Sequence, residues 1–181
     1  MGNLYVTIYC LPISTTMLML LAGTVAWRFL YQWYRRHKRQ MRLVLRAAGA
    51  VFFALWLMVI LHMTIFSRTP GEREAELVPL HQLWVYFSGG NKEILRTLWM
   101  NVLLFAPGGL LLTALWPEKW RYSTRFWLTA AVLTAVSAGI EWTQFRLALG
   151  LAETDDVLCN GLGAMLGALM HRSALPDPGE A

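Results

Sequence analysis

Two long stretches without a charged side chain limit what this chain can fold into. Residues 3–27 and 47–67 contain no Asp, Glu, Lys or Arg. At 1.5 Å per helical residue, each is long enough to cross a hydrocarbon core of about 30 Å. Shorter apolar runs follow at about Thr97–Trp116, Phe126–Ile140 and Val157–Met170. Only 15% of the 181 residues are charged, against roughly 25% in soluble domains. The expected fold is an all-α integral membrane protein, with about five transmembrane helices in one compact bundle. Its expected parts are a first span with a basic loop (1–46), a main transmembrane domain (47–172) and a short tail (173–181).

Charge then sets the expected topology. Arg28, Arg35, Arg36, Lys38, Arg39, Arg42 and Arg46 follow the first run with no acid among them. With Lys119, Arg121, Arg125 and Arg172 they put eleven basic residues on one side. Arg68, Arg73, Lys92, Arg96 and Arg146 put five on the other. The excess marks the cytoplasm, so the chain is expected to be multi-pass with its N-terminus outside and its C-terminus cytoplasmic. The same rule accounts for the net charge of +5 without a nucleic-acid partner. No basic segment precedes residue 3, so a cleaved signal peptide is not expected.

In that topology the unusual polar residues converge on the extracytoplasmic half. Arg68 follows the second run, and Asn101 lies early in the third. Glu141, Gln144 and Arg146 close the fourth, and a loop through Gly150 leads to Asp155, Asp156 and Asn160 at the head of the fifth. Charge near hydrocarbon needs a structural or functional reason. Asp155 and Asp156 fit as caps for the N-terminus of the fifth helix. Glu141 fits as a carboxylate paired with Arg68 or Arg146. All eight residues also fit a single ligand pocket. Arginine suits phosphate or carboxylate, while carboxylates and amides suit a hard cation.

Small residues mark packing faces. Asp156, Asn160, Gly163 and Gly167 step by four, three and four, so they share one helical face. The two glycines on it suit close helix contact. Pro107 lies inside the third run and predicts a kink or a thin place there, and Gly108 and Gly109 follow as further packing positions. The segment Leu77–Phe87, with Trp84, Tyr86 and Phe87, reads as interfacial. Cys10 and Cys159 read as small buried hydrophobes rather than a disulfide. Nothing in the spacing of His and Cys resembles a zinc site, and no cofactor or metal is expected.

The patterns Asn101-x-x-x-Phe105-x-Pro107-x-Gly109, Glu141-x-x-Gln144-Phe145-Arg146 and Asp155-Asp156-x-x-x-Asn160-x-x-Gly163-x-x-x-Gly167 together resemble the VanZ-like membrane proteins. Ser67-Arg68 and Val78-Pro79-Leu80 resemble that family's upstream signature. The resemblance covers roughly 65–170. One departure is that Arg146 follows Gln144-Phe145 at once, with Leu147 after it. The resemblance implies a membrane location and, through the family's named member, a link to low-level teicoplanin resistance.

Two function classes follow. One is a non-catalytic protein that binds an envelope lipid, a cell-wall precursor or a glycopeptide at the outer surface and alters susceptibility. The other is an enzyme on an outer-leaflet lipid, with Glu141 or Asp156 as general base and an arginine on phosphate. No Ser-His or His-rich motif accompanies the carboxylates, which favours the first. The expected partner is the lipid bilayer, with a lipid or cell-wall precursor as ligand.

Overall fold

The structure, a computed structural model, describes residues 22–23, 25–26, 28–30 and 41–172. Most of the expected first span, most of the basic loop behind it and the tail at 173–181 lie outside these residues. Helix α1 (Met41–Leu61) begins earlier than the uncharged run, so Arg46 belongs to a helix rather than to a loop. Its guanidinium reaches across to the Leu115 carbonyl at 2.8 Å. At its far end α1 widens into a π-helical turn, His62–Phe66. There the Ser67 N–H donates to the His62 carbonyl at 2.8 Å. Thr64 Oγ1 donates to the Ile60 carbonyl and Ser67 Oγ to that of Met63, and such back-bonding loosens a helical turn.

A short strand β1 (Arg73–Glu76), a short helix α2 (His81–Phe87) and the long helix α3 (Lys92–Leu115) follow. Asn91 caps α3 by accepting the Glu93 N–H. The helix runs through Pro107 and stops at Trp116-Pro117. Helix α4 (Tyr122–Leu147) leads through strand β2 (Gly150–Glu153) into helix α5 (Thr154–Arg172). Among the described residues three helices are long and apolar enough to cross a membrane: Leu43–Phe66, Lys92–Leu115 and Tyr122–Leu147. Helix α5, with 19 residues, packs most extensively against α3 and next against α4.

The reading as all-α needs one correction. The structure is mostly helical, but β1 and β2 pair in parallel, with Arg73 opposite Gly150 and Glu76 opposite Glu153. The loop expected through Gly150 is therefore partly a strand. Its cause is local. α4 ends with Ala148 in the left-handed region at φ 52°, and Gly150 follows at φ 127°, a conformation open to glycine at little cost. These two residues turn the chain into an extended path beside β1, and the Gly71 N–H joins it by donating to the Ala148 carbonyl at 2.7 Å.

The core holds α5 closely against α3. Trp56, Ile60, Leu104, Phe105, Leu133, Ile140 and Ala164 form its buried centre. Trp56 donates Nε1 to the Leu104 carbonyl at 3.0 Å and lays its ring over Gly108, where a Cβ would collide with it. On the other side of α3, Cβ atoms at Gly163 and Gly167 would collide with the carbonyls of Val102 and Ala106. A Cβ at Gly109 would strike the Ala164 carbonyl. Backbone thus lies on backbone along the α3–α5 contact, the geometry that small residues permit in membrane helices.

Candidate functional site

The end of α1, the start of α3, the end of α4, strand β2 and the start of α5 meet at one end of the bundle. Glu141 is buried there on the inward face of α4, in line with Ser137 and Gln144. The fourth helix does not stop at Glu141 but continues to Leu147, which keeps these side chains on one rigid element. The Glu141 carboxylate accepts the backbone N–H of Glu153 at 3.0 Å. Among the described residues it forms no ion pair with Arg68 or Arg146, which corrects that expectation. The reason is position. The Arg146 guanidinium lies 5.8 Å over the ring of exposed Trp142, on the outward face. Arg68 is exposed and donates to the Leu149 carbonyl at 3.3 Å.

Arg68 is nonetheless within electrostatic reach of both Glu141 and Asp156. Asp156 in turn accepts a hydrogen bond from the Asn101 side-chain amide. The structure therefore brings Arg68, Asn101, Glu141 and Asp156 into one neighbourhood, each from a different segment. Gly150 belongs to it as well, since a Cβ there would lie 2.9 Å from the Arg68 guanidinium.

The other four expected site residues have different surroundings. Asp155 is buried, but it does not cap its own helix as expected. Its carboxylate accepts the N–H groups of Leu80 and Gln82, the latter at 2.8 Å, and so caps α2 instead. The left-handed turn at Leu80, φ 61°, aims both N–H groups at the same carboxylate. Gln144, 2% exposed, donates to the Thr64 carbonyl at 2.9 Å and ties α4 to the π turn. Asn160 is buried between helices and donates to Ser137 Oγ at 2.8 Å, while its own carbonyl oxygen has no partner among the described residues. Arg146 is directed away from the cluster.

Two residues outside the sequence-based site complete it. Glu153 supplies the N–H that holds Glu141, and its carboxylate accepts the Gln82 side-chain amide at 2.6 Å. The sequence signal for Glu153 was its place in the acidic run Glu153-Thr154-Asp155-Asp156. Gln82 carried no comparable signal. Beside this junction lies a cleft of about 730 Å³, with Glu74, Glu76, His81, Gln82, Glu93 and Glu153 in its wall. Among the described residues no group of three or more His, Cys, Asp or Glu side chains is arranged to hold a metal ion.

Apolar helices of spanning length, with one arginine beside buried carboxylates where the helix ends meet, define a helical membrane protein with a polar end site. The family model for VanZ/LLP1 matches residues 50–175. The chain belongs to that family. No curated protein and no solved structure matches it.

Proposed function

We propose that this polar end faces outside the cell and binds the headgroup of an envelope lipid, a cell-wall precursor or a glycopeptide. The observation that carries the reading is the position of Arg68. Its guanidinium is exposed and makes one side-chain hydrogen bond among the described residues, at the edge of the group formed by Asn101, Glu141 and Asp156. A guanidinium has five donors in a planar fork, so most of its capacity is open to a phosphate or carboxylate. The Glu141 and Asp156 carboxylates would accept from hydroxyl or amine groups on the same ligand.

Two features support a ligand drawn from the membrane surface. Leu77, Val78, Leu80, Trp84 and Phe87 are exposed around α2, and an aromatic-rich apolar surface of this kind sits well at headgroup level. The eleven-to-five distribution of basic residues favours the opposite end as cytoplasmic. The family's association with teicoplanin makes glycopeptide susceptibility the natural readout.

The test is growth of a sensitised bacterial host on graded teicoplanin. It should carry wild-type protein or Arg68→Gln at matched membrane levels. Protection by wild type that is lost in Arg68→Gln is expected. Equal protection by both would remove Arg68 from the function.

A further inference from the structure

The opposite end of the bundle has its own unmatched charge. Arg125 lies in the first turn of α4, on the inward face that continues through Thr129, Leu133 and Ser137. Only 6% of it is exposed, and its Nε has no hydrogen-bond partner among the described residues. Among the described residues it has no ion-pair partner, and a buried guanidinium without a counterion is unfavourable, because desolvation is not offset by pairing.

Three other helix ends lie at this end of the bundle. One turn further along α4, Thr129 accepts from Trp116 Nε1 at 3.0 Å, which fixes the end of α3 beside α4. The Leu115 carbonyl is held by Arg46 of α1, and Tyr122 Oη donates to the Ala168 carbonyl near the end of α5 at 2.9 Å. The first turn of α4 receives no capping bond from the side chain of Arg121. In the first turn of α4, Arg125 lies at the helix end where backbone N–H groups favour an anion. Lys119 and Arg121 add positive charge and are exposed. Glu118 and His171 belong to the same end and have partners of their own.

We propose that this end of the bundle binds a phosphate group, held by Arg125 at the N-terminus of α4. Phosphate could be presented by an anionic lipid of the adjoining leaflet or come free from solution. Either would supply the missing counterion and accept from the guanidinium fork. The site is distinct from the polar end: Arg125 and Glu141 both lie on α4, and the stretch of helix between them spans about 24 Å at 1.5 Å per residue.

Binding is tested on the full chain by native mass spectrometry and melting. The probes are phosphatidylglycerol, phosphatidylcholine and inorganic phosphate. Wild type should retain phosphatidylglycerol over phosphatidylcholine, and Arg125→Gln should weaken that retention at least about tenfold, the loss of one charged contact of roughly 1.4 kcal/mol. Lys119→Gln, exposed in the loop before α4, should change it far less. Displacement of phosphatidylglycerol by inorganic phosphate, or stabilisation by phosphate alone, would name the free ion as a ligand of the same site. Should Arg125→Gln not fold, Arg125→Lys keeps the charge but loses the fork and should show reduced retention. Equal retention of both lipids by wild type, with no effect of phosphate, would overturn the proposal. So would equal losses in Arg125→Gln and Lys119→Gln.

Discussion

Asp155 at the head of α5 accepts the backbone N–H of Gln82 in α2 at 2.8 Å, across 73 positions of sequence. With the Leu80 N–H on its other oxygen, this carboxylate anchors α2 to the bundle. A short helix with no buried residue of its own depends on such polar ties, of which the Gln82 side-chain amide on Glu153 is another.

Asp155→Ala should therefore release α2 without unfolding the spans. Hydrogen bonds to a charged group contribute about 1.5–3 kcal/mol each, and two are lost. Hydrogen exchange at His81–Phe87 should quicken by at least an order of magnitude while the middle of α3 stays protected. Exchange in α3 that rises together with α2 would show Asp155 to hold the bundle instead.

Glycine positions separate contact from open surface. Gly163→Ala and Gly167→Ala each press a methyl group against the backbone of α3. Overpacking of this kind costs about 1–3 kcal/mol, so melting in detergent should fall. Gly139→Ala, with nothing among the described residues within 4 Å of its added Cβ, should leave melting nearly unchanged. Equal effects at all three positions would contradict the close α3–α5 contact.

The sequence made some of these features legible and hid others. Gly163 and Gly167 could be placed on one face because helical spacing is periodic. Asn101, Glu141 and Asp156 stood out because polar groups are costly beside hydrocarbon. The pairing of β1 with β2 left no such trace, since Arg-Glu-Ala-Glu at 73–76 has no apolar alternation and its partner lies 77 positions away in register. The role of Asp155 was hidden for a similar reason. An aspartate at the head of a helix reads as that helix's own cap, and only the left-handed turn at Leu80 brings another helix to it. Arg146 looked equivalent to Arg68 by composition, yet its place on α4 directs it to Trp142.

Orientation can be checked with single cysteines in a background lacking Cys10 and Cys159. Gly71 has nothing among the described residues within 4 Å of an added Cβ, and Lys119 is exposed at the other end. In intact cells a membrane-impermeant thiol reagent should label Gly71→Cys and not Lys119→Cys. Labelling only the second would turn the polar end toward the cytoplasm.

The central claim is that Arg68 serves a ligand rather than the fold. Its single 3.3 Å bond to the Leu149 carbonyl is long, and loss of such a bond typically costs about 1 kcal/mol or less. The direct measurement is mass spectrometry of the lipids and precursors retained through purification in mild detergent, taken with the melting temperature. It compares wild type with Arg68→Gln. The account predicts a phosphate- or carboxylate-bearing molecule on wild type that is lost from Arg68→Gln while melting in ligand-free detergent stays within a few degrees. The same molecule retained by both proteins would contradict it.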